Sequence, residues 1–464
     1  MSQSRETIAY LTAGAANMFC GSCLRDNALA GAIQRLGRDI VLIPTYTPLR
    51  TDEDNNSQEQ VYFGGINVYL QEKIPFFRYL PQAFDRWLDR PGLIRWLASF
   101  GIRTNPEKLG KLTVSMLRGE QGNLRKEVDR LAHFLQETIR PSLINLSNIL
   151  IGGCIPELKR RLGCPVLVTL QGDDLFLEGL PEPYFSQALE AIARLGDHID
   201  GYIVFSNYYA DYMATLLGVP RERFHIASMG INLIDFHHEH QPSADGATTE
   251  PPAIGYLARI CPAKGFHLLV DAFLELRKRP GMEQLVLRAA GWLGKDDEKF
   301  FEEQLEKIRR AGAEGNFVHH GSVDRQGKVE FLKRIDVLSV PTTYREPKGI
   351  YVLEALASGV PVITPDHGAF PELLSATGGG RLHRPNDTEH LAEMLEEMLT
   401  DHPGRDELAR LGKESVHRSF SAEMMAADTL AIYDLYLKRP SDQETREKLE
   451  SGVASSVVTA NEAT

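Results

Sequence analysis

Short apolar runs alternate with longer amphipathic stretches along almost the whole chain. The short runs include Ile8–Thr12, Ile40–Pro44, Val166–Leu170, Gly201–Phe205, Ile254–Leu257, Leu285–Ala289, Val337–Val340 and Val362–Thr364. The longer stretches carry apolar positions at helical spacing and include Leu24–Leu36, Tyr208–Leu217, Phe266–Lys278, Glu298–Arg310 and Glu389–Leu399. Strands alternating with helices predict βαβ units, hence parallel sheets with helices on both faces.

The rhythm breaks in three places. Residues 237–252 (HHEHQPSADGATTEPP) are polar, rich in Pro, Gly, Ser and Thr, and without an apolar period, so they read as a linker. A second α/β series starts at Ile254. The expectation is two doubly wound domains, residues 1–236 and 253–417, with a cleft between them. Residues 74–140 show no strand signal and read as a helical insertion. It opens on an aromatic piece holding Phe76, Phe77, Tyr79, Phe84, Trp87, Trp96 and Phe100. That piece reads as packing inward, with contact at a membrane surface or cover over an acceptor as the alternative, because Asp85 and Asp89 dilute its positive face. Residues 441–464 are polar, short of large apolar residues and expected to be disordered.

Composition narrows the class. The chain has 464 residues, 43% of them hydrophobic, enough for two cores. The formal net charge of −12 argues against nucleic acid as the main partner, since phosphate backbones want a basic surface. Five cysteines in such a length do not make a disulfide framework. No apolar run is long enough to span a bilayer, and Met1–Glu6 does not read as a signal peptide. A cytoplasmic setting is expected, with a peripheral place on the membrane's inner face as the alternative tied to the aromatic piece.

The richest segment is Pro341–Leu374 (PTTYREPKGIYVLEALASGVPVITPDHGAFPELL). A strand ends in a polar turn, Thr342–Lys348, and a helix follows from Gly349 to Ala357. A helix start offers free backbone N–H groups and the positive end of the dipole, which suits an anion. Glu346 lies just before the helix and Glu354 over one turn into it. Carboxylates beside a phosphate cradle are suited to the hydroxyls of a sugar or ribose. Arg259 and Lys264 occur in GYLARICPAKG, at another strand's carboxyl end, and are suited to clamp a diphosphate.

Together these segments resemble the retaining glycosyltransferases of family 4, which have the GT-B fold. The resemblance rests on Glu346 and Glu354 with seven residues between, on the following EALASGVPV, and on Gly368 and Glu372 in HGAFPEL. It also rests on Arg259 with Lys264–Gly265, and on Gly321–Val323 in HHGSV. The first half agrees in outline through TLQGD, FSNYYAD and MGINLIDF. The resemblance implies two Rossmann-like domains facing a cleft, the first for the acceptor and completed by residues 418–440, the second for the donor. It implies that the final helix, Phe420–Leu437, crosses back onto the first domain. It implies a hexosyl transfer from a nucleoside diphosphate sugar to a sugar, lipid or other hydroxyl, with retained anomeric configuration and no metal or cofactor.

Residue by residue, the resemblance implies Glu346, Arg259 and Lys264 as catalytic. Glu346 would contact the donor sugar near the reacting carbon, and the two cations would neutralise the departing diphosphate. Glu354 would hold the ribose. Backbone N–H groups of Gly349, Ile350 and Tyr351 would bind phosphate, and Gly321, Ser322 and Val323 would border the base. Gly21, Ser22, Gln171 and Asp173 would line the acceptor side. Departures are Lys348 where the family has Phe, Gln171 where many members have His, and Asn232 where Asp is common.

Other signals take simpler readings. Cys20-Gly21-Ser22-Cys23 reads as a small-residue turn rather than a redox pair or metal half-site, because no second C-x-x-C or H-x₃₋₅-H follows in range. Asp52-Glu53-Asp54 and His237–His240 read as solvated segments. Arg25, Asp26 and Asn27 are unusual polar residues within a helix, suited to an acceptor or to a structural role. Asp173 and Asp174 either meet an acceptor hydroxyl or cap a turn. Two other functions share the fold: a sugar-nucleotide epimerase, for which no acid–base set is evident, and a sugar-nucleotide-binding protein without turnover, which Gln171 keeps open.

Overall fold

The computed structural model describes residues 6–14, 21–49, 51, 53–58, 106–236 and 251–437. The aromatic piece, Cys20, Asp52, the C-terminal tail and most of the linker expectation lie outside them. The chain divides into two units. One comprises residues Met1–Ser228 with Met425–Thr464, the other Met229–Met424.

Each unit holds a six-stranded parallel sheet, so the fold is α/β with two Rossmann-like layers, as the alternation predicts. The first sheet is built from β1 (Thr7–Thr12), β2 (Asp39–Pro44), β3 (Leu143–Leu146), β4 (Val166–Thr169), β5 (Gly201–Val204) and β6 (Phe224–Ile226). Its order is β2-β1-β3-β4-β5-β6. The second contains β7 (Ala253–Leu257), β8 (Val286–Ala290), β9 (Phe317–His319), β10 (Val337–Ser339), β11 (Val362–Pro365) and β12 (Gly380–His383). Its order is β12-β11-β10-β7-β8-β9.

Burial explains which strands the apolar pattern marks. β4, β5 and β7 are buried at every position and read as continuous apolar runs. β3, β6, β9 and β12 have no such run. Three of these are edge strands, half solvated, so their side chains need not be apolar. β3 lies inside the sheet but holds Asn145, whose amide Nδ2 donates to Thr169 Oγ1 at 3.0 Å in the next strand. That bond satisfies a polar group in a fully buried position.

Helices pack on these sheets with readable ends. Ser206 caps Asn207–Leu217 by accepting from Tyr209 N, and Gly218 ends it in a left-handed conformation. Asp387 caps Thr388–Thr400 in the same way through His390 N. Helices Pro106–Arg118 and Arg125–Phe134 are the described part of the region read as inserted. The final helix, Ala422–Leu437, begins in the second unit and ends in the first. There Tyr433 and Tyr436 are buried, and the Tyr436 hydroxyl lies 2.6 Å from His225 Nε2 beside β6. Among the described residues no helix is long and apolar enough to cross a membrane.

Candidate functional site

In the second unit the chain runs outward from β7 through β8 to β9, then returns to the other side of β7 at β10. The strand order therefore reverses between β7 and β10, which pair directly, Val337 with Ile254 and Leu338 with Gly255. Open α/β sheets bind ligands at such a switch point, outside the strands' carboxyl ends. The loop after β7 carries Arg259 and Lys264. The loop after β10 carries Tyr344, Glu346 and Gly349.

The two loops are locked together. Thr343 N donates to Ala263 O at 3.0 Å. Gly265 holds φ at +70°, and a Cβ there would fall 1.7 Å from Pro341 O, so only glycine allows this approach. From the other side, Ala369 N donates to Glu346 O at 2.8 Å and His367 Nε2 lies 3.0 Å from Thr342 O.

Within this frame Lys264 Nζ lies 2.6 Å from Glu346 Oε2, and Tyr344 Oη donates to the same oxygen at 2.8 Å. Lys348 N reaches Glu346 Oε1 at 3.4 Å. The Lys264 ammonium also stands over the rings of Tyr344 and Tyr351, at 5.1 and 5.2 Å. Burial of Glu346 opposes its ionisation. The Lys264 charge and the hydrogen bonds from Lys264 and Tyr344 outweigh that and hold the carboxyl down at about 2. Glu346 is therefore a fixed anion near neutral pH, able to accept hydrogen bonds and unable to donate a proton.

Arg259 is exposed, and its Nε donates to Cys261 Sγ at 3.4 Å. The helix Ile350–Ala357 begins at Gly349, which caps it with φ at +72°. By helix geometry the N–H groups of Ile350 and Tyr351 have no acceptor inside the helix, so they are available to an anion. One turn on, Glu354 is buried, and Lys328 Nζ donates to its Oε1 at 2.6 Å. Gly321 accepts from Gly291 N at 2.8 Å, which ties the turn after β9 to the turn after β8. Ser322 in that turn is exposed, and Gly321 and Val323 are half-buried.

The structure thus gathers Arg259, Lys264, Glu346, Gly349, Ile350 and Tyr351 at one switch point, with Glu354 one turn deeper. Sequence reasoning missed Tyr344 and Lys328. A signal for Lys328 did exist. It lies three and four residues before Phe331 and Leu332 on the same helix, both buried, so the apolar period places it inward.

The remaining candidates belong to the first unit. Gly21 and Ser22 open the helix Gly21–Arg35 and are half-buried. Gln171 follows β4, and its Nε2 donates to Asp26 Oδ1 at 2.9 Å and to Ser147 O at 3.1 Å. Asp26 also accepts from Tyr10 Oη at 2.8 Å and Thr12 Oγ1 at 2.9 Å, and Arg25 Nη1 lies 3.3 Å from it. Burial pushes the Asp26 carboxyl up, against the pull of Arg25 and these hydrogen bonds. Arg25, Asp26 and Asn27 are all buried, so the polar face of this helix start points into the unit. Asp173 accepts from Gln171 N and Ile149 N, both at 2.7 Å, and so clamps the turn between β3 and β4 ends. Asp174 accepts from Tyr209 Oη at 2.6 Å. Cys23 is buried, and no cluster suited to a metal ion occurs among the described residues.

Comparison with known proteins agrees with this geometry. Residues 238–415 match the family Glycosyl transferases group 1. The chain is 28% identical over 177 residues to the phosphatidyl-myo-inositol mannosyltransferase of Mycobacterium leprae, covering 37% of this chain and 43% of that protein. It is 22% identical over 261 residues to an uncharacterized glycosyltransferase of Methanocaldococcus jannaschii, covering 54% and 65%. The matches span under two thirds of these relatives' own length. Among solved structures, sucrose-phosphate synthase from Thermosynechococcus elongatus superposes with a TM-score of 0.67 at 18% identity, covering 92% of this chain and 98% of that one. Anabaena HepE in complex with UDP and glucose gives 0.63 at 15%, covering 92% and 99%. The chain has the two-sheet architecture of GT-B glycosyltransferases, and its residues 238–415 form a Glycosyl transferases group 1 domain.

Proposed function

We propose that this protein transfers a hexosyl group from a nucleoside diphosphate sugar to a hydroxyl acceptor, with retention at the anomeric carbon. The observation that carries the reading is the meeting of two cations, an ionised carboxylate and a helix start at the β7/β10 switch point. Lys264, Arg259 and the N–H groups of Gly349, Ile350 and Tyr351 suit a diphosphate, whose charge grows as the sugar leaves. Fixed donors of this kind stabilise a leaving group without calling on a metal ion. Glu346, ionised and held by Lys264, suits the hydroxyls of the donor sugar, and Glu354 those of the ribose. The turn Gly321–Val323 suits the base. The second unit would take the donor and the first the acceptor, with Gly21, Ser22, Gln171 and Asp173 on the acceptor side. A solved neighbour in complex with UDP and glucose, and relatives named as a phosphatidyl-myo-inositol mannosyltransferase and a D-inositol 3-phosphate glycosyltransferase, support the reading of sugar transfer from a nucleotide donor.

The test is direct. Thermal unfolding in the presence of UDP, GDP and ADP sugars should show a rise in melting temperature with one base, since a ligand of the native state alone stabilises it. Incubation of that sugar nucleotide with a panel of sugar, inositol and lipid hydroxyls should release the nucleoside diphosphate and give an α-linked product from an α-linked donor. Binding without release across the panel would leave a binding protein; an inverted product would remove the retaining assignment.

A further inference from the structure

We propose that Lys328 is a positioning residue that fixes the Glu354 carboxylate for a ribose hydroxyl. The inference rests on the reading above that this unit binds a nucleoside diphosphate, and adds to it how the ribose is recognised.

Glu354 sits on a helix whose backbone cannot yield. Its neighbours Leu353, Ala355, Leu356 and Ala357 are fully buried. The side chain is less constrained by that packing than by one contact, the ammonium of Lys328 at 2.6 Å from Oε1. Both side chains are nearly buried, at 11% and 12% exposure. Lys328 in turn is held by its helix. Asp324 caps that helix by accepting from Gly327 N at 2.8 Å, and Val329, Phe331 and Leu332 anchor it. The helix starts directly after the Gly321–Val323 turn, so one short segment supplies both the turn and the lysine.

A buried lysine–carboxylate pair adds little stability over an apolar pair of the same volume. What it does add is definition. It selects one carboxylate rotamer and occupies Oε1. Oε2 accepts no hydrogen bond among the described residues. A carboxylate oxygen fixed in this way is an aligned acceptor for a hydroxyl donor. Without Lys328 the carboxylate loses the contact that holds this rotamer and would turn away, which weakens its hold on a hydroxyl.

The experiment measures ribose discrimination by calorimetry. UDP, GDP and ADP are titrated against the full chain, each beside its 2′-deoxy and 3′-deoxy counterparts, for wild type, Lys328→Met, Lys328→Gln and Lys328→Arg. For the base that binds, wild type should prefer the ribonucleotide about tenfold or more over at least one deoxy form. Lys328→Met and Lys328→Gln should bring that ratio below about threefold, whereas Lys328→Arg should keep it. The glutamine variant keeps the reading open where methionine does not fold. A merely structural lysine would weaken ribo and deoxy forms alike and leave the ratio unchanged, which would overturn the proposal. Wild type that binds a diphosphate without ribose preference would also overturn it, while leaving the donor-binding reading intact. Wild type that binds none of the three would remove both.

Discussion

Lys264 and Glu346, 82 residues apart in sequence, meet at 2.6 Å where the loops after β7 and β10 are bonded together. The pair makes a division of roles between them interdependent. A lysine suited to a diphosphate also keeps the sugar-side carboxylate charged, and that carboxylate keeps the ammonium aimed. Glu346→Gln should therefore lower turnover about 100-fold, the scale for one pre-set electrostatic contact to a reacting group. Nucleoside diphosphate binding should persist, because Lys264 itself stays in place. Lys264→Ala should instead weaken diphosphate binding about tenfold as well as turnover. Steady-state kinetics alongside calorimetry separates the two patterns, and a Glu346→Gln enzyme with wild-type rate would remove the assignment.

The frame around the pair is testable through Gly265. An added Cβ would sit 1.7 Å from the Pro341 carbonyl oxygen, a backbone atom that cannot swing away. Gly265→Ala should cost about 1–3 kcal/mol for the left-handed backbone alone, and more for the clash. Gly312 is the control. It has nearly the same φ, +66°, with nothing within 4 Å of the added carbon. Gly312→Ala should cost the backbone part alone, about 1–3 kcal/mol, without the clash. Equal urea midpoints for the two variants would show that the loops after β7 and β10 are not tied as described.

Much of this was legible in the sequence, for a physical reason. β7, β10 and β11 are buried on both faces, so they are largely apolar and the loops between them can be placed. The residues at those loops, Arg259, Lys264, Glu346 and Gly349, could then be assigned to one end of one sheet. What was not legible is pairing. Nothing in the local pattern of Glu354 shows that Lys328, 26 residues upstream, supplies its partner. The helix start at Arg25–Asn27 was equally opaque. Three consecutive polar residues look like a surface, and they are buried because Tyr10, Thr12 and Gln171 converge on Asp26 from two strand ends.

That convergence gives a third prediction. The Arg25 and Asp26 side chains are both at 0% exposure and 3.3 Å apart. Asp26→Ala would leave a buried guanidinium without its counter-charge, a loss of about 3–5 kcal/mol. It would also remove one of the two acceptors of Gln171 Nε2. The double variant Arg25→Met with Asp26→Leu removes both charges and should recover most of the loss. Urea unfolding of the three proteins checks it. A double variant no more stable than Asp26→Ala would mean that the network is held by its hydrogen bonds rather than by charge balance.

The last prediction concerns acid. His383 ends β12 opposite Pro365, with its ring 1% exposed. Its Nδ1 lies 2.8 Å from Arg384 O, so Nδ1 carries the proton and donates, which leaves Nε2 bare. Nε2 is buried and has no hydrogen-bond partner among the described residues. Burial pushes the imidazole down to about 4, well below its ordinary 6.5. The sign follows from proton binding. Between those values the unfolded chain takes up a proton at His383 and the folded chain does not, so stability rises with pH. The contribution is fully present above the unfolded value of about 6.5 and is lost as pH falls through about 4. The span amounts to about 3 kcal/mol. His383→Asn should remove it while keeping the bond, since the amide nitrogen of asparagine can donate to Arg384 O in place of Nδ1. Urea unfolding of both proteins at intervals from pH 7 to pH 4 gives the difference curve. It should slope through that window by up to about 3 kcal/mol, with the wild type losing more than the variant. Parallel curves would show that the ring is free to take a proton in the native state, through water or a shift of β12, and that this end of the sheet is looser than its burial indicates.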